Sequence, residues 1–389
     1  MKEDISLYVH YPFCTYKCPY CDFNSYGLGI RGVDDFFESY LREISHYSEI
    51  FGDRTIKTVF FGGGTPSLMS SGSLGGILDR IDEKFRLDRD AEISLEANPT
   101  TLETKKFSEF RSLGINRLSV GVQSLNSQQL KFFGKTYGRG EILRALDVVQ
   151  KCFGENYSID LIYARPEQNV QQWLEELEEA TILSPNHLSL YQLTIEPGTK
   201  FYRDGIRALE DNMAAEMYEM TNKFLESRGL HLYEISNYAR DGYECRHNLN
   251  YWNSGEWLGI GAGAHSRLCF EDIFINKYKE RTALENIKNP QKWQQSVANY
   301  GHGVETREIL AREEFIEEVL LMGLRLGSGL RIDNVKKYLT LGPGGVLDLL
   351  GGSYRYLSDS GSIEVSDQGL RVPPEYLRVL DSIVERIIK

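Results

Sequence analysis

The most constraining feature of the 389-residue chain is a regular alternation of short β-rich runs with helical patterns. Strand runs fall at Ser6–Val9, Thr58–Phe61, Glu92–Leu95, Arg117–Val120, Ser158–Ile162 and His187–Leu193. Helical periodicity fills the gaps near Asp34–Tyr47, Leu74–Lys84, Glu103–Leu113, Glu141–Cys152 and Val170–Leu183, with a short stretch at Gln128–Phe133. Strands separated by helices must pair in parallel through crossover connections, which predicts an α/β fold built as a partial or closed (βα)6 barrel. Barrels of this kind carry their chemistry at the C-terminal ends of the strands. Functional residues are therefore expected just after each run. A cysteine cluster follows the first run, and Gly62-Gly63-Gly64-Thr65-Pro66 follows the second. Glu96 ends the third, Gln123 follows the fourth, and Asp160 lies near the end of the fifth.

Beyond residue 230 the pattern changes. Tyr233–Tyr238 reads as one more strand, and the Gly-, Asn- and aromatic-rich stretch Tyr243–His265 as a functional loop. Helical patterns return at Glu313–Leu326, Asp333–Tyr338 and Glu375–Ile388. The expected division is a barrel over 1–230, an extension over 231–306 and a small, mainly helical domain over 307–389.

The six cysteines are unevenly spread. Cys14, Cys18 and Cys21 form C-x3-C-x2-C, while Cys152, Cys245 and Cys269 are scattered and read as small buried residues. A tight cluster points to metal ligation rather than disulfides. Three close thiolates can wrap one face of an iron–sulfur cubane and leave one iron open for a ligand. The competing reading is a zinc site completed by His10. The N-terminal Met1-Lys2-Glu3-Asp4 lacks the basic-then-apolar layout of a secretion signal, so a cytoplasmic protein is expected. The net charge of −12 argues against nucleic acid as partner. Peripheral membrane contact stays open.

Gly63, Gly64 and Thr65 form a turn whose backbone can approach a ligand closely. Glu96 could hold an ammonium or a ribose hydroxyl, and Gln123 places an amide similarly. Asp160 lies between apolar neighbours, where a carboxylate needs a partner.

The cysteine spacing, with these later motifs, resembles the radical S-adenosylmethionine superfamily, and nearly the whole chain resembles its porphyrin branch. The resemblance implies a TIM-like radical S-adenosylmethionine barrel with a helical C-terminal domain. It also implies a 4Fe–4S cluster on Cys14, Cys18 and Cys21 whose open iron binds S-adenosylmethionine. Reduction of that cluster would generate a 5′-deoxyadenosyl radical. Cofactor contacts carried over by resemblance are Tyr8, Tyr20, Gly63, Gly64, Thr65, Glu96, Gln123 and Asp160. Lys135 joins them where the family usually has Arg, and it loses the bidentate fork. Ala164-Arg165-Pro166 stands where Gly-Leu-Pro is common, and Arg165 is given no role.

Two groups share this branch. Oxygen-independent coproporphyrinogen III oxidases usually carry a fourth cysteine two residues after the third, and Phe23 stands there in this chain. Cys-Pro-Tyr-Cys-Asp-Phe-Asn-Ser is similar to the haem chaperone group instead. So is Arg246-His247-Asn248-Leu249-Asn250-Tyr251-Trp252, which contains H-N-x-x-Y-W. A histidine can ligate haem iron, and Tyr251 and Trp252 offer flat faces to a porphyrin. The expectation is a protein that binds haem and passes it to acceptor haem proteins, at a membrane among other places, with a reductant serving the cluster. The alternative is oxidative decarboxylation of coproporphyrinogen III.

Overall fold

The computed structural model describes residues 4–27, 34–184, 186–270, 281–336, 338, 349–350 and 354–388. The six expected strands are present as β1 (Ile5–Tyr11), β2 (Thr55–Gly63), β3 (Arg86–Ala97), β4 (Arg117–Gln123), β5 (Tyr157–Tyr163) and β6 (His187–Gln192). Each pairs in parallel with the next. Their central residues are packed on both faces, which is why they read as apolar runs. Leu7, Val9, Val59, Phe61, Leu95, Leu118, Val120, Ile159 and Leu161 are all buried.

Helices cover the sheet as the periodicity predicts. Phe37–Phe51, Ser71–Lys84, Arg139–Phe153 and Val170–Leu183 lie between successive strands, and Asp211–Ser227 follows β6. The helix expected at Glu103–Leu113 is broken into Thr101–Thr104 and Phe107–Ser112.

The region after residue 230 differs from the sequence expectation. Tyr233–Tyr238 is not one strand but a hairpin of β7 (His231–Glu234) and β8 (Asn237–Ala239), added antiparallel to the β6 edge. The stretch read as a loop holds the helix Arg246–Trp252 and β9 (Trp257–Ile260). β9 pairs in parallel with β1, on the side away from β2. β10 (His265–Cys269), β11 (Arg281–Asn286) and β12 (Val304–Ile309) continue that edge antiparallel. Among the described residues the sheet thus has twelve strands, in the order β12-β11-β10-β9-β1-β2-β3-β4-β5-β6-β8-β7. The C-terminal part is mainly helical, with Arg312–Gly323, Ile332–Lys336, Tyr354–Asp359 and Leu380–Ile388, and includes a small three-stranded sheet.

The extension is pinned to the barrel by Glu43. Its buried carboxylate accepts from Gly261 N–H (2.8 Å), Gly303 N–H (2.8 Å), Asn286 Nδ2 (3.0 Å) and Trp293 Nε1 (3.1 Å). Burial pushes this carboxyl up to about 7, against the pull of those four donors. Among the described residues no helix is long and apolar enough to cross a membrane.

Candidate functional site

The C-terminal ends of β2 to β5 and the loop after β1 surround a cavity of about 510 Å³. Cys14, Cys18 and Cys21 line it, all three as free thiols. The loop is held from several sides. Lys17 Nζ donates to the carbonyls of Phe23 (3.0 Å) and Ser25 (3.1 Å), and Cys21 N–H closes a turn on Cys18 O at 3.1 Å. Tyr26 N–H donates to Pro12 O at 2.7 Å.

Among the described residues no three His, Cys, Asp or Glu side chains are close enough to share one metal ion. The zinc alternative fails on His10. His10 Nδ1 pairs with the Tyr8 hydroxyl at 2.9 Å and Nε2 with Asn24 O at 3.0 Å, so both ring nitrogens are taken.

Eight of the nine expected cofactor residues line this cavity: Tyr20, Gly63, Gly64, Thr65, Glu96, Gln123, Lys135 and Asp160. Tyr8 is placed apart. It packs beside the stacked Phe60 and His247 rings, with centroids 6.3 and 6.4 Å away, and lines a second cavity instead.

The glycine turn requires glycine. Gly63 has φ +113°, and a Cβ there would meet the His10 ring at 2.6 Å. A Cβ on Gly64 would lie 2.6 Å from Phe13 O. The backbone there is tied down by Gly64 N–H to Tyr11 O (2.7 Å) and Thr65 N–H to Phe13 O (2.9 Å). Gln123 adopts φ +68°, sparsely populated for a residue with a side chain, at an irregularity in the β4–β5 register. Strain of this kind concentrates where a ligand is held.

Two carboxyls face the cavity with raised pKa values. Burial, then the Asp160 charge, holds Glu96 up at about 8, against a 3.1 Å hydrogen bond from Gly63 N–H. Burial also raises Asp160, opposed by hydroxyls of Ser119, Ser189 and Ser158. Ser119 Oγ sits 2.9 Å from one Asp160 oxygen. Burial alone would lower the Lys135 ammonium, but Tyr20, Tyr137 and Cys18 outweigh it and hold it up. Its Nζ lies 5.9 Å and 5.8 Å from the centroids of the Tyr20 and Tyr137 rings.

The sequence reading missed Asn98, Tyr137, Thr194 and Glu196, which also line the cavity. Thr194 and Glu196 follow β6, so the strand-end rule applied five times already pointed to them. Arg165, given no role, is structural. Its Nη2 lies 2.6 Å from Glu176 and its Nη1 2.9 Å from Ser124 Oγ, all buried, which ties the end of β5 to the next helix.

The second cavity, about 780 Å³, runs inside the barrel and shares Phe23, Gly63, Glu96, Ser119, Asp160 and Tyr191 with the first. His247, Tyr251 and Trp252 line it far from the cysteines, at the N-terminal ends of the strands. Their helix is anchored by Glu92 on β3, whose carboxylate accepts from Arg246 N–H (3.0 Å) and His247 N–H (3.1 Å). His247 is 5% exposed, stacks on Phe60 at 5.2 Å and pairs through Nδ1 with Thr58 Oγ1 at 2.8 Å. Burial pushes the imidazole down to about 3, so it is neutral at physiological pH. Of the scattered cysteines, Cys245 and Cys269 are buried and Cys152 is partly so.

Residues 8–180 match the radical SAM superfamily, the class that this sheet and cysteine-lined cavity define. A bovine protein named radical S-adenosyl methionine domain-containing protein 1, mitochondrial, is 36% identical over 98% of this chain and 87% of its own length. The haem chaperone HemW of Escherichia coli strain K12 is 40% identical over 69% of this chain and 71% of its own. In structure, the Escherichia coli coproporphyrinogen III oxidase HemN superposes with a TM-score of 0.82 at 22% identity, over 99% of this chain and 90% of that one. The chain belongs to the HemW/HemN-like family of the radical S-adenosylmethionine superfamily. Membership implies a 4Fe–4S cluster and S-adenosylmethionine, and the three free thiols beside a glycine cradle fit that pair.

Proposed function

We propose that this chain binds haem and delivers it to acceptor haem proteins, with a 4Fe–4S cluster on Cys14, Cys18 and Cys21 and S-adenosylmethionine held beside it. Gly63, Gly64 and Thr65 would cradle the methionine end of the cofactor. Tyr20, Glu96, Gln123, Lys135 and Asp160 supply the remaining contacts, and Tyr8 acts from behind the glycine turn through His10. When bound, the reduced cluster supplies the electron that opens the cofactor's sulfonium bond. Tyr20 is half-buried beside the thiolates, while Tyr16 and Phe23 stand exposed at the mouth.

The observation that carries the haem reading is the H-N-x-x-Y-W helix as lining of an interior cavity that borders the cysteine site. His247 suits iron because it is neutral and Thr58 occupies only Nδ1. Nε2 has no protein partner among the described residues and is the nitrogen available to a metal. Tyr251 and Trp252 offer aromatic faces beside it. The relative that is 40% identical is named a haem chaperone, whereas the likeness to the coproporphyrinogen oxidase lies in the fold. The acceptor, its membrane setting and the reductant belong to the same proposal.

The test is haem transfer. Anaerobically reconstituted protein, loaded with haem, is mixed with an apo haem protein and the acceptor's Soret band is followed. The expected result is about one haem bound per chain, transfer to the acceptor, and weaker retention by His247→Ala with the cluster absorbance unchanged. No haem bound by the parent protein overturns the reading.

A further inference from the structure

The interior cavity carries an excess of unused hydrogen-bonding capacity at the end away from the cysteines. Buried side-chain atoms with no protein partner include five that can donate, Arg117 Nη2, His187 Nδ1, Trp252 Nε1, Arg325 Nε and Ser94 Oγ, and one acceptor on the same cavity, Asn237 Oδ1. All six residues line this one cavity. Arg117 and His187 are 4% and 2% exposed. Native proteins leave few buried polar atoms unpaired, so six around one space mark a place for a polar ligand or ordered water.

The charges distinguish the two ends of the cavity. Arg117 donates through Nη1 to Asn156 Oδ1 (3.2 Å) and Tyr243 O (3.1 Å), both neutral acceptors. The Arg325 guanidinium carbon lies over Trp252, 4.9 Å from the ring centroid, and the side chain makes no hydrogen bond among the described residues. Neither guanidinium has a carboxylate within salt-bridge distance among those residues. A buried cation without a counter-ion is costly. The acids that line the cavity act on the two arginines only at longer range, Glu234 on Arg325 and Asp160 on Arg117, with no direct ion pair among the described residues. Glu96 and Asp160 sit at the end shared with the cysteine cavity. Glu234 accepts from Asn237 Nδ2 and from Ser236 N–H. Burial raises all three carboxyls and weakens their charge.

We propose that Arg117, His187, Trp252 and Arg325 form a carboxylate-binding site for the acid side chains of a flat tetrapyrrole, whose ring lies against the aromatic lining. The inference rests on the haem reading and specifies which part of the ligand the end of the cavity away from the cysteines takes. Arg117 and Arg325 pair with the carboxylates. His187, held neutral by burial and the Arg117 charge and tied through Nε2 to the Tyr233 hydroxyl at 2.9 Å, offers Nδ1 beside them.

The probe is iron-free protoporphyrin IX, compared with its dimethyl ester, titrated by fluorescence into the reconstituted protein. Leaving the iron out removes any contribution of His247 ligation. The parent protein is expected to bind the diacid at least about tenfold more tightly than the diester, the scale of one charged hydrogen bond. R325M and R117Q should each reduce that preference several-fold without changing diester affinity or cluster absorbance. R325M carries the test if R117Q folds poorly, because the Arg325 side chain gives up no protein hydrogen bond. Equal affinity for diacid and diester overturns this site and leaves the haem reading intact, with ordered water as what satisfies the six atoms. An unchanged preference in R325M together with folded R117Q also overturns it. Failure of the parent to bind either porphyrin or haem overturns both.

Discussion

Glu96 should oppose stability in the ligand-free protein while serving cofactor binding. Its folded-state pKa of about 8 stands above the ordinary 4.5, chiefly because of burial and then the Asp160 charge. Below pH 4.5 the carboxyl is protonated in both folded and unfolded states and costs nothing. As pH rises from 4.5 to 8, the unfolded chain loses this proton and the folded chain keeps it. Stability therefore falls across that window, by about 1.4 kcal/mol per pH unit. At pH 7 the loss reaches about 3 kcal/mol, an upper figure because the cavity-facing side of the carboxyl reaches water. Glu96→Gln removes the titration and keeps an acceptor for Gly63 N–H. Asp160 titrates in both proteins but is coupled to Glu96 through its charge, so the difference between them reports Glu96 together with that coupling. Urea unfolding of iron-free protein at pH 5, 6, 7 and 8 should show the variant gaining on the parent at each step. Its affinity for S-adenosylmethionine, once the cluster is rebuilt, should fall roughly tenfold or more. Parallel pH profiles for the two proteins would refute the burial argument, and equal cofactor affinity would remove Glu96 from the site.

Arg165→Met leaves the Glu176 carboxylate buried with no cation, and should cost about 3 kcal/mol or more in urea unfolding. Gly64→Ala drives a Cβ into Phe13 O beside Cys14 and should lower iron incorporation. Gly72→Ala, whose Cβ would have nothing nearer than Ser70 Oγ at 3.8 Å, should leave iron unchanged and gain at most about 1 kcal/mol. Replacing Cys14, Cys18 and Cys21 together by Ala should abolish the 4Fe–4S absorption, while Cys152→Ala leaves iron content unchanged.

The parallel core was legible because strands buried on both faces must be apolar, and because their C-terminal ends collect the polar residues. Glu96, Gln123 and Asp160 were all found by that rule, and Thr194 and Glu196 could have been. The region after residue 230 was not legible, because its order comes from distant partners. The helix Arg246–Trp252 has only seven residues and is held by Glu92, more than 150 residues earlier. β9 contains Gly259 and gains its place by pairing with β1, far away in sequence, on one side and β10 on the other. The break between β7 and β8 falls at Ile235-Ser236, with neither Gly nor Pro to signal it, and is held by Glu234 accepting from Asn237. Sequence could single out His247 as a candidate, but its burial in the barrel interior, stacked on Phe60, follows from those long-range contacts.

The central claim is that this family member handles haem and does not decarboxylate porphyrinogen. The direct measurement is one anaerobically reconstituted sample divided between a haem titration and an assay with coproporphyrinogen III, S-adenosylmethionine and a reductant. Saturable haem binding near one per chain, with no protoporphyrinogen IX formed above background, is the predicted result, in keeping with Phe23 in place of a fourth cysteine. Steady conversion to protoporphyrinogen IX without haem binding would contradict it.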